Sequence, residues 1–434
     1  EENMKKIHLL CLLGLALLFP NFFFSLYLTR ELMSDSNSTI IRQWEADKWL
    51  CYNRGKGNEF YAVSTTGSTT PYMTLENDSI TITDFEIFDD TVYFCGYKDS
   101  TTRIAMMGYF PLTTFPNSIV KYNTLSDVVS FNKMDVFSAE GQVHVEMTAT
   151  LTYGEVHAFY TIVDARENSD GSWMYYVLDK PEKGLIFDDV AVTDSFVVFT
   201  GRSLRDDNYE AFNTTELWYF YKPTMYGVPV FLTSVDIRCL YNWPVGQVII
   251  EHLFADIFII ALRKGSDVIV SSFYHGLSYN TTCKLILDDS IDTREVLDVK
   301  YNKSNSRYDI LACRQNNEML TSRIFTIPLT NHYNPSGTVQ MRTFRNKEIQ
   351  SIDFLSLAPN QFVASGHNNT SNLIVCKYDQ LLSGNCFDLS TVESKQVLYN
   401  RRPIKKNISV KIYRRTMQYI PTEDHNIETE TRCD

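Results

Sequence analysis

Glycine and proline are scarce in this chain, 18 and 13 among 434 residues, which excludes a collagen-like or low-complexity polymer. Positive charge is short as well: 40 Lys and Arg face 52 Asp and Glu, a formal net charge of −12 at pH 7. That is the wrong sign for a protein that grips phosphate backbones, so no nucleic-acid partner is expected. The sequence contains no HExxH, CxxC, GxSxG, P-loop or GxGxxG, the short motifs that carry zinc, redox, nucleophilic and nucleotide chemistry. His144, His157, His252, His275, His332, His367 and His425 are scattered and name no metal-ligand set. No catalytic residue is assigned on these grounds, although a site assembled from distant loops would leave no such motif. Hydrophobic residues at 44% and charged residues at 21% are those of a chain with a packed core.

Long apolar runs are missing too, with one exception. Ile7 to Leu28 carries no charge and follows Lys5 and Lys6. A basic n-region before an apolar stretch is the pattern of a secretory signal, and roughly 20 apolar residues also suffice to span a bilayer. Residues 1–28 are read as a signal peptide or N-terminal membrane anchor, and 29–434 as one exported domain, periplasmic, at the cell surface or extracellular. Membrane contact is expected only through residues 7–28, if uncleaved. Eight cysteines remain outside that run, an even number that an exported chain can pair. Cys376 and Cys386 flank a turn and form the expected bridge; Cys95 and Cys313 lie in apolar runs and are expected as buried thiols.

Aromatic residues make up 13% of the chain, which favours strands. DFEIFDDTVYFCG from Asp84 and DVAVTDSFVVFTG from Asp189 align without a gap. Each reads as an alternating strand, a two-residue turn and an apolar strand. The frame recurs from Asp135, Glu251, Asp298, Asp353 and Ser409, seven copies whose starts lie 47 to 62 residues apart. Further strand-like runs follow the copies: TRIAMMGYF and SIVKYNTL after the first, and later ELWYFYK with VPVFLTS and NLIVCKY with CFDLST.

Four antiparallel strands per roughly 50 residues is the unit of a β-propeller blade. The expected fold is all-β: a seven-bladed β-propeller of four-stranded antiparallel blades, with repeat starts near 84, 135, 189, 251, 298, 353 and 409. The copy at Ser409 has only two strands, so EFYAVSTT and YMTLEN are expected to complete its blade, the ring being closed by strands from both termini. On these residues the chain resembles seven-bladed propellers of broadly WD-repeat and YVTN-like shape, and FDDTVYFCGY resembles uncharacterised exported propellers of Bacteroidetes. The resemblance is one of repeat shape, since no paired GH and WD dipeptides recur and no YVTN box is present.

Six of the copies open on an acid: Asp84, Asp135, Asp189, Glu251, Asp298 and Asp353. In a propeller the first strand is innermost, so these carboxylates would ring one mouth of the central channel. A cation such as Ca2+, or an amine, would offset their repulsion; no other cofactor is expected. The competing role for each acid is to accept backbone N–H bonds in the turn before its strand. Adjacent aspartates, such as Asp89 with Asp90 and Asp188 with Asp189, point to opposite faces of a strand and make poor catalytic pairs. NSDGSW, from Asn168, departs from the spacing of the sialidase Asp-box and reads as an Asp-Gly turn.

Eight bases and no acid lie between Lys395 and Arg415. Arg401, Arg402, Lys405, Lys406, Arg414 and Arg415 of this basic latch would dock an acidic partner or anionic glycan. Trp173 and Trp218 are the aromatic candidates for an exposed, sugar-stacking face. Together these features suggest an exported non-catalytic scaffold that binds a glycan, peptide or protein through one propeller face. The alternative is a carbohydrate-active propeller enzyme, glycosidase or lyase, with its site at the channel mouth.

Overall fold

The computed structural model describes residues 28–32, 39–45, 48–53, 59–64, 69–75, 79–99, 103–112, 121–125, 128–153, 157–178, 185–204, 212–225, 228, 230, 235–240, 248–264, 267–274, 282–286, 295–302, 307–315, 320–330, 334–335, 338–344, 351–356, 361–367, 373–379, 387–397, 402–403, 412–416 and 418–420. The elements among them are all β-strands, and the fold is all-β with antiparallel sheets. Six hydrogen-bonded sheets form, and the largest is two four-stranded sets joined through one shared strand, Phe387–Val397.

Seven four-stranded units result among the described residues. They are numbered here by their first strands: Thr39–Glu45, Ile80–Phe88, Ser130–Ala139, Leu185–Val192, Val248–Phe254, Glu295–Asn302 and Ser351–Ser356. The first strands lie beside one another in chain order, and that of unit seven lies beside that of unit one. Tight hairpins join first to second strands. Asp89 and Asp90 (φ 52° and 55°), and Glu140 and Gly141 (φ 51° and 74°), put both central residues in the left-handed region, as a type I′ turn needs.

Successive units meet face to face in separate apolar layers. Tyr52, Phe60, Phe94 and Phe110 fill the layer between units one and two, and Tyr93, Met107, Phe131 and Tyr175 the layer between two and three. Ile162, Phe187, Phe199 and Trp218 lie between three and four, Tyr219 and Phe258 between four and five, and Val270 and Phe325 between five and six. The unbroken apolar run TVYFC is thereby explained. Its side chains alternate, Val92 and Phe94 into one layer, Tyr93 and Cys95 into the other, as a strand with both faces covered requires.

The frame read from the sequence needs three corrections. First, the acids do not head their strands, which begin two to five residues earlier. Second, the copy read from Ser409, itself outside the described residues, does not supply a first strand where it is described: Ile412–Thr416 pairs with Trp173–Leu178 as an outer fifth strand of unit three. The seventh copy is instead Thr39–Glu45 with Lys48–Asn53, which EFYAVS and TTPYMT complete. Arg42 stands in this first strand, and an alignment anchored on acids passes over it. Third, the fourth strand of unit four is Val235–Leu240, not VPVFLTS.

Both termini contribute strands, though not to one blade as expected. Leu28–Leu32 pairs with Leu373–Asp379 as the outer strand of unit seven. Past residue 386 the chain doubles back around the rim. Phe387–Val397 pairs with units six and five, Arg402–Pro403 with unit four, Ile412–Thr416 with unit three and Gln418–Ile420 with Lys121–Leu125 of unit two. CFDLST therefore begins this belt and does not close unit seven.

Candidate binding site at the convergence of the first strands

In units two, three and four the register between first and second strands slips by one residue, at Thr83, Asn132 and Asp188. Such a bulge bends the strand and re-aims the residues after it. In units two and four a glycine sits opposite the slip. A Cβ on Gly96 would stand 1.9 Å from the Thr81 carbonyl oxygen, and one on Gly201 2.9 Å from that of Ile186, so this close approach of backbones excludes a side chain.

Beyond each bulge an aspartate clasps two units together. Asp84 Oδ1 accepts from its own neighbour, the Phe85 N–H, at 3.0 Å, and Oδ2 accepts from Met134 N–H of unit three at 3.2 Å. Asp135 does the same with Val136 and with Val192 of unit four, both at 2.7 Å. Asp189 repeats it with Val190 and with Ile250 of unit five, both at 3.0 Å. Asp188, the bulged residue itself, accepts two bonds from Arg202 Nε and Nη2 and one from Val248 N–H. The backbone-accepting role is thus the observed one, with the difference that the bonds run to the next unit rather than to a preceding turn.

Asp84, Asp135, Asp189 and Glu251 nevertheless line one cavity of about 420 Å³. Asp298 and Asp353 lie in the first strands of units six and seven, opposite Leu311 and Ser365. The cavity is not the purely acidic ring that was expected. Arg42 reaches Asp84 Oδ1 with Nη2 at 2.7 Å and Glu86 Oε1 with Nε at 2.6 Å. Lys300 Nζ lies 3.2 Å from Glu251 Oε2, and Lys133 Nζ 3.9 Å from Asp84 Oδ2. Glu86, Lys133 and Lys300 were missed, but they had a signal: each stands two positions from a ring acid (Asp84, Asp135, Asp298), the spacing that keeps a strand's residues on one face.

Burial governs the protonation of these acids. It pushes Asp135 up to about 8, with repulsion from Glu86 adding to it against two backbone N–H bonds. Burial also lifts Asp189 to about 6 against the attraction of Lys133. It raises Glu86 as well, in spite of the Arg42 guanidinium.

The other candidates lie elsewhere. In the basic latch, Arg402 pairs with Cys239, and Arg414 and Arg415 with Tyr176 and Tyr175 along the rim; Arg401, Lys405 and Lys406 lie outside the described residues. Trp173 and Trp218 are not exposed. Each is buried at 3% exposure, Trp173 against Tyr93 and Tyr109, and Trp218 against Phe187 with its Nε1 donating to Glu216. Strands sandwiched between units turn such rings inward. NSDGSW is a turn as expected, with Gly171 at φ 76° and Asp170 Oδ1 accepting the Ser172 N–H at 2.9 Å. Cys95 is a buried free thiol and Cys51 is buried; Cys386 lies outside the described residues.

No protein-family model matches the chain, and no curated protein does. Among solved structures it is similar to the polysaccharide lyase Uly1, at 8% identity over 80% of this chain and 90% of that one, with a TM-score of 0.44. It is also similar to the Bombyx mori GH32 beta-fructofuranosidase BmSUC1, at 9% identity over 86% and 94%, with a TM-score of 0.28. Both are carbohydrate-active enzymes by name, and likeness at this level carries no activity to the present chain.

Proposed function

We propose that the chain is an exported seven-bladed β-propeller whose channel-mouth cavity binds a neutral, hydroxyl-rich ligand of the saccharide class. The observation that supports the ligand class is the lining: Arg42 pairs with Asp84 and Glu86, Lys300 pairs with Glu251, and Asp135 and Asp189 are held by backbone N–H groups. A lining of paired charges offers donors and acceptors to hydroxyl groups without demanding a net charge from the ligand. Its volume of about 420 Å³ lies within the range of roughly 300–1,000 Å³ of small-molecule sites.

A second reading, a carbohydrate-active enzyme, is favoured by one observation. Burial raises the Glu86 carboxyl, Glu251 lines the same cavity, and glycoside chemistry uses two carboxyl groups about one bond. Calorimetric titration of neutral and uronate oligosaccharides into the wild type, Glu251→Gln and Lys300→Met tests the main reading. A saccharide that binds the wild type and is lost in both variants is the expected result; no saccharide bound, or binding that both variants keep, would defeat it. Release of reducing or unsaturated ends by the wild type, abolished in Glu86→Gln, would move the chain to the second reading.

A further inference from the structure

Away from the cavity, four ionisable side chains meet inside the molecule. His144 and Glu146, on Gln142–Tyr153, stand opposite Arg166 and Asp164 on the adjacent strand His157–Glu167. Alternate positions on paired antiparallel strands share one face, here the face of unit three that packs on unit four. Unit four seals it: the Val230 N–H donates to Asp164 Oδ2 at 2.9 Å. The His144 ring stacks on Phe137 with centroids 4.8 Å apart. All four side chains are buried, at 0% or 1% exposure.

Their hydrogen bonding is incomplete. His144 Nδ1 and Asp164 Oδ1 are 3.2 Å apart, and Arg166 Nη2 donates to the Tyr176 hydroxyl. No N–H or O–H donor reaches either carboxylate oxygen of Glu146, and its one hydrogen-bonding contact, with the Asp164 carboxyl, needs a proton on one of the two. With His144 neutral, two carboxylates against one guanidinium leave the cluster one positive charge short; a proton closes that gap, and a divalent cation closes it with one charge to spare. Burial and the Asp164 carboxylate beside it hold the Glu146 carboxyl well above its ordinary range, so a proton and a cation would compete for it.

One donor atom from each of His144, Glu146 and Asp164 lies within 4.8 Å of the other two, so that small side-chain rotations would bring all three onto one ion with bonds of roughly 2.0–2.2 Å. We propose that these three residues bind a zinc-class divalent cation that ties unit three to unit four. One imidazole and two carboxylates suit such an ion, whereas Ca2+ takes six to eight oxygens. The ion would span the second and third strands of unit three and, through Asp164 and Val230, reach unit four. None of this depends on how the cavity is read.

The test uses the full chain expressed with added zinc, its metal content measured after dialysis, alongside Glu146→Gln and His144→Asn. About one zinc per chain is expected in the wild type. Loss of it is expected in both variants, as is a wild-type thermal midpoint that falls on chelation and returns with zinc. The proposal fails if the wild type holds no metal, if Glu146→Gln keeps a full equivalent, or if Glu146→Gln is as stable as the wild type and chelation changes nothing. The last result would mean that a proton fills the cluster. Should His144→Asn not fold, Glu146→Gln decides, together with cobalt-substituted wild type, whose visible absorption must appear for the proposal to stand.

Discussion

The aspartates that line the cavity are structural before they are anything else. Asp135 joins its own strand to that of unit four through two backbone amides. Asp135→Ala would orphan both, at roughly 1–3 kcal/mol for each buried group left without a partner, so urea denaturation should show a loss of about 2–6 kcal/mol. Their protonation gives stability a definite sign with pH. Asp189 titrates at about 6 in the folded chain because of burial, against roughly 4 for an unfolded carboxyl. The folded state therefore binds more protons between these values. The contribution is full below about pH 4 and is lost as pH rises through about 6, and Asp135, at about 8, extends the loss. Denaturation at pH 4, 6 and 8 should show Asp189→Asn with a shallower decline than the wild type. Gly96 is as constrained as the acids: Gly96→Ala drives a methyl into the Thr81 carbonyl, and a loss at or above about 1–3 kcal/mol is expected by the same measurement.

Among elements, the hairpins and the rim belt carry distinct predictions. Asp90 sits at φ 55° in the first turn of unit two, a region that costs a residue with a Cβ about 1–2 kcal/mol. Asp90→Gly should raise stability by about 1 kcal/mol, read as a higher thermal midpoint. The belt from residue 387 onward covers the outer strands of units two to six. Bare strand edges template association, so a chain ended at residue 386 should form oligomers or aggregates by light scattering where the full chain does not. Lys395, Arg402, Arg414 and Arg415 are placed by backbone pairing along that rim, where charged residues suit a sheet edge.

For the whole molecule, the energetic unit is the layer between two neighbouring units rather than one central core. Phe60 meets Phe85 and Phe110 edge to face, with centroids 5.4 Å and 5.3 Å apart, and joins unit one to unit two. Phe60→Ala should cost about 3–5 kcal/mol, measured by denaturant unfolding. The loss should be accompanied by early exchange of unit one amides, because each unit contacts only its neighbours.

Period-two alternation and turn residues are local properties, and they sufficed for the all-β class, the repeat and the hairpins. What alternation cannot specify is which strand lies beside which across some 50 residues of chain. The first unit at Thr39, the backward course of the C-terminal strands, the burial of Trp173 and Trp218, the bases set among the acids, and the meeting of His144, Glu146 and Asp164 all follow from that neighbourhood. Pairing and face-to-face packing are long-range interactions, so these features arose when the sheets assembled.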